Sequence, residues 1–186
     1  MKQYSGIILA GGRSSRMKED KAELLLNGKS FLDLAVDRYR RAGITDIVIS
    51  RNNGDTEYQG FPVVPDEERL GPLSGLYAAL KAVRFSAAVV LPVDMPLVDE
   101  SVIQRLTVAH TCGITAACTG EQIQPLAAVY DKVVGEVIAR LLSEGKRRVM
   151  ELQNIVAFRT VDFPEDIFIN CNTPEEYRFL LEQHEY

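Results

Sequence analysis

Gly11 and Gly12 close an apolar run, Gly6-Ile7-Ile8-Leu9-Ala10, and open directly onto Arg13, Arg16, Lys18 and Lys21. Glycine has no Cβ, so backbone N–H groups in such a turn can come close to a phosphate. Between positions 13 and 21 these four cations stand against Glu19 and Asp20, a local positive excess in a chain of formal net charge -5. Residues of these types in this order suit a loop that holds nucleotide phosphates. The competing reading is an ordinary strand-to-loop turn with solvated charges beside it. Two familiar phosphate loops do not match. A dinucleotide fingerprint needs a third glycine, G-x-G-x-x-G, and none follows Gly11-Gly12 at that spacing. Gly28-Lys29-Ser30 supplies the end of a Walker A loop, but Glu23 stands where its first glycine belongs.

A second chemical feature lies mid-chain. Asp94 emerges from the wholly apolar stretch Ala87-Ala88-Val89-Val90-Leu91 and is held between Pro92 and Pro96. A carboxylate so placed suits Mg²⁺, which keeps several waters and bridges one or two carboxylates to substrate phosphates. A turn or cap aspartate is the plainer alternative. An upstream glycine loop and Lys21 tip the balance toward metal binding, since phosphoryl chemistry needs both a cation site and a phosphate cradle. Lys21 itself is placed to neutralise developing phosphate charge as a point charge. Gly145-Lys146-Arg147-Arg148 is a second basic cluster, suited to another anionic substrate or to a charged helix end. Asn170 and Asn172 flank Cys171; in an extended chain both side chains share a face, to bond a ligand or to cap the next helix.

The elements that must position these groups alternate between strand and helix. Strands are expected at Ser5–Leu9, Ile44–Ser50, Val63–Val64, Ala87–Pro92, Ile114–Cys118, Leu126–Tyr130, Val156–Val161 and Ile167–Ile169. Helices are expected at Ser30–Ala42, after Gly71-Pro72-Leu73-Ser74-Gly75, from Asp99, and at Lys132–Leu142, with a shorter one over Arg147–Leu152. Ser30 with Asp33, and Thr173 with Glu176, make capping-box patterns, and Pro174 stands at a first helical position. Continuous apolar strands between amphipathic helices predict an α/β domain with a mainly parallel sheet, and Ile114–Tyr130 reads as an antiparallel insertion that makes it mixed. In such sheets ligands bind outside the carboxyl ends of the strands. Gly11 and Gly12, Ser50 to Asn52, Asp66 and Asp94 all follow strands, so one rim should carry them.

Composition sets the bounds. The 186 residues, 46% hydrophobic and 25% charged, suit one domain spanning 1–186 with no need of structural metal or disulfides. The acidic balance argues against nucleic acid as the main partner. Three cysteines, Cys112, Cys118 and Cys171, leave at least one unpaired and point to a reducing cytoplasm. His110, Cys112 and Cys118 lack the fourth ligand and spacing of a zinc site. No signal peptide or membrane span is expected.

Taken together, Leu9-Ala10-Gly11-Gly12-x-Ser14-x-Arg16-Met17 followed by Asp20-Lys21-Ala22 resembles the signature of the MobA-type molybdenum cofactor guanylyltransferases, within the nucleotidyltransferase superfamily. Gly71-Pro72-Leu73-Ser74-Gly75, Pro92-Val93-Asp94-Met95-Pro96, Gln124-Pro125-Leu126, Gly145-x-Arg147-Arg148-x-Met150 and Asn170-x-Asn172-Thr173-Pro174-Glu175-Glu176 resemble further motifs of that family in order. The resemblance implies a Rossmann-like three-layer nucleotidyltransferase fold and the transfer of GMP from GTP, with Mg²⁺, to the phosphate of a molybdopterin-type cofactor. It implies that Leu9, Ala10, Gly11, Gly12, Lys21, Asn52, Asp66, Gly71 and Asp94 hold the nucleotide, that Lys21, Asp94 and Arg16 are catalytic, and that Asp94 binds the metal. Arg147, Arg148, Asn170 and Asn172 would face the second substrate. Cofactor-synthesis proteins or acceptor molybdoenzymes are the protein partners it suggests. Lys18 stands where the family has glycine, and Ser50 where it often has asparagine. The Gly11-Gly12 pair favours the guanylyl branch over relatives that use CTP. A transferase using CTP or another acceptor, and a non-catalytic nucleotide- or cofactor-binding protein, are the alternatives.

Overall fold

The computed structural model of the chain describes residues 2–11, 20–66 and 71–184. Ten strands lie in it: β1 (Ser5–Leu9), β2 (Leu25–Leu26), β3 (Lys29–Ser30), β4 (Ile47–Ser50), β5 (Glu57–Tyr58), β6 (Phe61–Val64), β7 (Ala87–Pro92), β8 (Ile114–Thr119), β9 (Gln122–Asp131) and β10 (Phe158–Asp162). Five helices accompany them: α1 (Phe31–Arg41), α2 (Pro72–Ala82), α3 (Glu100–Ala109), α4 (Val134–Ser143) and α5 (Pro174–His184).

Eight strands form one sheet in the order β10-β8-β9-β7-β1-β4-β6-β5. β1 pairs parallel with both β4 and β7, β4 with β6, and β8 with β10. β9 runs antiparallel to β7 and to β8, and β5 antiparallel to β6. All strands of this sheet except β5 and β9 therefore point the same way, and the sheet is mixed α/β as expected. The 114–130 stretch is the antiparallel insertion. Its hairpin shifts register between Ala116 and Ala117, where Pro125, Leu126 and Ala127 bulge out of the β9 ladder. A proline cannot donate a ladder hydrogen bond, so a bulge is where a strand tolerates it.

The sheet is covered on both faces, and β1 shows how two-residue alternation divides it. Ile8 joins one buried cluster, with Phe31, Leu32, Val36 and Tyr39 of α1 and Val102, Ile103 and Leu106 of α3. Ile7 and Leu9 join the other, with Leu73, Leu76 and Leu80 of α2 and Ile138 and Leu141 of α4. Tyr39 is fully buried and its hydroxyl donates to the Ile7 carbonyl at 2.8 Å, with the Val89 carbonyl at 3.0 Å. Its ring packs so close to β1 that a Cβ on Gly6 would come within 2.8 Å of it.

Both capping boxes form. Ser30 Oγ accepts from the Asp33 N–H at 3.0 Å, and Thr173 Oγ1 from the Glu176 N–H at 3.2 Å while Glu176 accepts from Thr173 N at 2.9 Å. Other expectations need correction. Ile167–Ile169 is no strand; Glu165–Phe168 forms a 3-10 turn instead. The short helix over Arg147–Leu152 is a 3-10 turn at Val149–Asn154, and β9 begins at Gln122 rather than Leu126. The small hairpin β2–β3, the 3-10 turn Lys21–Glu23 and the edge strand β5 carry too few residues to show a hydrophobic period.

Candidate active site

Register alone brings the strand ends together. Leu9, the last residue of β1, pairs with Ser50 of β4 on one side and Pro92 of β7 on the other, and Ser50 pairs with Val64 of β6. The residues that follow, Ala10-Gly11, Arg51-Asn52, Asp66 and Val93-Asp94, consequently share one carboxyl rim. The Ala10 N–H donates to the Ser50 carbonyl at 2.9 Å and the Val93 N–H to the Leu9 carbonyl at 3.0 Å, which continues the pairing beyond the strands.

Lys21 meets this rim from a separate segment. Asp20 caps the turn Lys21–Glu23, accepting from the Ala22 N–H at 3.0 Å. The Lys21 ammonium donates to Asp94 Oδ2 at 2.9 Å and to Asn172 Oδ1 at 2.5 Å. Residues 21, 94 and 172 thus converge on one amine. The Lys21 and Asp94 side chains each keep 20% of their surface exposed, so the pair is neither buried nor freely solvated. The Cys171 N–H donates to the Asp94 carbonyl at 2.8 Å, which ties the segment before α5 to the end of β7. Burial pushes the Cys171 thiol up to about 11, with Lys21 opposing, so this sulfur stays protonated and is no nucleophile near neutral pH.

Arg51 is a residue that spacing did not single out. Its side chain is only 6% exposed, and its Nη2 donates to Asp20 Oδ2 at 2.9 Å and Glu23 Oε1 at 2.5 Å. Burial works against this cation, but the bonds to Glu23 and Asp20 outweigh it and hold its pKa above the ordinary value. The guanidinium therefore pins both ends of the turn that carries Lys21 to the end of β4. The signal was present in Arg51 as the residue after a strand; its partners lie 28 and 31 positions away, beyond any local pattern.

On the other side of β4, Asp66 accepts from Ser74 Oγ at 2.7 Å, and its backbone N–H donates to Asn52 Oδ1 at 2.9 Å. Asn52 thus orients Asp66. Gly71 begins α2 with φ of +100°, a conformation that disfavours side chains, and a Cβ on Gly75 would stand 3.0 Å from Ser50 Oγ. These glycines let the start of α2 close onto the rim. Arg147 and Arg148 lie exposed between α4 and the 149–154 turn, and Asn170 is half-buried beside Cys171. Gly12 and Arg16 lie outside the described residues.

No cluster of three or more His, Cys, Asp or Glu side chains that could hold a metal ion occurs among the described residues. A single rim carboxylate fits a hard cation that takes its remaining oxygens from water and a substrate phosphate, and does not fit an all-protein cage.

The family model described as "MobA-like NTP transferase domain" matches residues 6–158. The chain belongs to this family. A molybdenum cofactor guanylyltransferase of Xanthomonas euvesicatoria is 35% identical over 97% of this chain and 96% of its own. Among solved structures, the molybdopterin-guanine dinucleotide biosynthesis protein A of Archaeoglobus fulgidus superposes with a TM-score of 0.80 at 21% identity, covering 96% of this chain and 97% of that one. A Mycobacterium tuberculosis protein in complex with manganese superposes with a TM-score of 0.77 at 23% identity, covering 97% and 99%. The expected nucleotidyltransferase fold is therefore the observed one. No helix among the described residues is long and apolar enough to cross a membrane.

Proposed function

We propose that this protein transfers GMP from GTP to the phosphate of a molybdopterin-type cofactor and releases pyrophosphate. The observation that carries the reading is the meeting of Lys21 and Asp94 at the carboxyl rim, beside the end of the glycine-terminated strand β1. The 35% identity to a named molybdenum cofactor guanylyltransferase over nearly the whole chain supports the substrate pair.

In this reading an oxygen of the acceptor phosphate forms a bond to the α-phosphorus of GTP. The bond from that phosphorus to the bridging oxygen breaks, and pyrophosphate leaves with the electron pair. No enzyme nucleophile is required, because the attacking phosphate is already anionic. Leu9, Ala10, Gly11 and Gly12 offer the loop for the triphosphate, with Arg16 and Lys21 supplying positive charge. Asn52, Asp66 and Gly71 line the nucleoside side, with Asn52 holding Asp66 in place. Mg²⁺ held by Asp94 and the phosphates would neutralise charge on the reacting groups. Among the described residues, two of the three Lys21 N–H donors go to Asp94 and Asn172, and the third suits a phosphate oxygen. Alignment and fixed charge of this kind commonly account for the largest rate terms. Arg147, Arg148 and Asn170 would face the second substrate, whereas Asn172, expected beside them, bonds the Lys21 amine, and one domain spanning 1–186 would serve the whole reaction in the cytoplasm. Acceptor molybdoenzymes or cofactor-synthesis proteins would take the product.

The test is pyrophosphate release from GTP, CTP or ATP with Mg²⁺ and molybdopterin cofactor. Release with GTP is expected; release with CTP alone would overturn the base assignment, and none with any nucleotide would overturn the reaction.

A further inference from the structure

We infer that Asn172 is a positioning residue for Lys21, acting on the nucleotide half of the reaction; the inference deepens the proposed transferase reading and rests on it for its kinetic consequences. Asn172 Oδ1 takes the Lys21 amine at 2.5 Å, and the two residues are 151 positions apart. The Asn172 backbone is itself fixed. Its N–H donates to Glu176 Oε2 at 2.7 Å, the next N–H shares that carboxylate oxygen, and the preceding one bonds the Asp94 carbonyl. Further along α5, the Tyr177 hydroxyl donates to the Leu25 carbonyl at 2.7 Å and accepts from the Leu25 N–H at 3.2 Å. Residues 171–177 therefore grip the Lys21 segment at its amine and again four residues on.

The chemistry separates the two anchors of the amine. A cation on Asp94 competes with Lys21 for the same carboxylate. Asn172 is uncharged, offers one acceptor oxygen and has no such competitor, so it is the anchor that persists when Asp94 is engaged. An amine fixed this way keeps its direction toward a phosphate, and misplacement by about 1 Å costs on the order of 10²-fold in rate.

Asn172→Ala, Lys21→Ala and the double variant of the full chain are compared in two measurements. In the first, Lys21 of wild type and Asn172→Ala is labelled with an amine-reactive reagent without nucleotide and followed by peptide mass spectrometry. Loss of one charge-assisted bond should raise the Lys21 rate about threefold or more; an unchanged rate overturns the inference. This arm stands even if wild type shows no turnover, which would sink the transferase reading separately. In the second, pyrophosphate release is followed at varied acceptor. Asn172→Ala should lower kcat about tenfold with acceptor KM within about twofold, and should add nothing when Lys21 is already alanine. A raised acceptor KM at unchanged kcat, or losses that multiply in the double variant, overturns it. Asn172→Asp, which keeps an acceptor oxygen, should retain more kcat than Asn172→Ala; the reverse order contradicts the inference.

Discussion

The two ends of the sheet each gather a lysine, an aspartate and a polar neighbour, yet they are built to different purposes. At the amino end, His110 has no exposed side-chain surface, and both ring nitrogens are engaged, Nδ1 with Thr115 Oγ1 at 3.0 Å and Nε2 with Asp131 Oδ1 at 3.1 Å. Asp131 also accepts from the Gly113 N–H at 2.6 Å, with Lys2 at 3.6 Å. Asp131 keeps 22% of its side chain exposed, about as much as Asp94, but the histidine at the centre of this network is wholly buried with both nitrogens bonded. At the carboxyl end, Lys21 and Asp94 stay partly exposed, and their segments are held from behind by Arg51 and by residues 171–177. A buried polar group must be satisfied to be tolerated, whereas a working one must keep some bonding capacity for a ligand. Parallel strands place backbone, loops and charges at one end, and the Lys21–Asp94 pair lies there.

The difference can be broken from either side. Asp94→Ala should remove on the order of 10³-fold of metal-dependent turnover with the unfolding midpoint little changed, and Lys21→Ala on the order of 10², in pyrophosphate-release assays. Equal turnover in either variant would leave the carboxyl rim no more functional than the amino end. Arg51→Ala should act on both properties. It frees Asp20 and Glu23 from their brace, and about tenfold in kcat and about 1–3 kcal/mol of stability should go with it, by kinetics and urea unfolding. His110→Ala should cost about 1–3 kcal/mol in the same unfolding experiment, because Thr115 and Asp131 lose a buried partner, while turnover per folded molecule stays the same.

The smallest effect is in pH. Burial lowers the His110 pKa below its ordinary value, against the opposing bond to Asp131. The unfolded chain then binds this proton more readily, so the stability it contributes is complete above about pH 6.5 and falls as pH drops below that. Burial alone would raise the Asp131 pKa, but bonds from His110 and the Gly113 N–H lower it, so its share is lost only as pH falls below about 4. Urea midpoints between pH 7.5 and 5 should decline in wild type and stay flatter in His110→Gln; parallel curves would remove His110 as the cause.

The strands were legible because their apolar runs are continuous and their ends carry glycine, proline or aspartate. Asp94 stood out for the same reason, as a charge at the end of an apolar strand. Helix starts at Ser30 and Thr173 were legible from side chains that bond within three residues. What spacing did not reveal is long-range. Arg51 looks like one of several polar residues after β4 until Asp20 and Glu23 fold onto it. Asn170 and Asn172 read as neighbours on a strand face, but residues 165–168 form a 3-10 turn, and Asn172 turns to Lys21. The apolar letters of Ile167-Phe168-Ile169 mislead because Phe168 packs edge-on against Phe163 within the core rather than along a ladder.

In the proposed reaction Lys21 and Asp94, distant in the chain, serve one triphosphate. A crystal structure with Mg²⁺ and a non-hydrolysable GTP analogue decides this. The phosphates should lie between the Lys21 amine and the Asp94 carboxylate, outside the ends of β1 and β7. A nucleotide bound anywhere else on the molecule, with Lys21 and Asp94 still paired only to each other and Asn172, would contradict it.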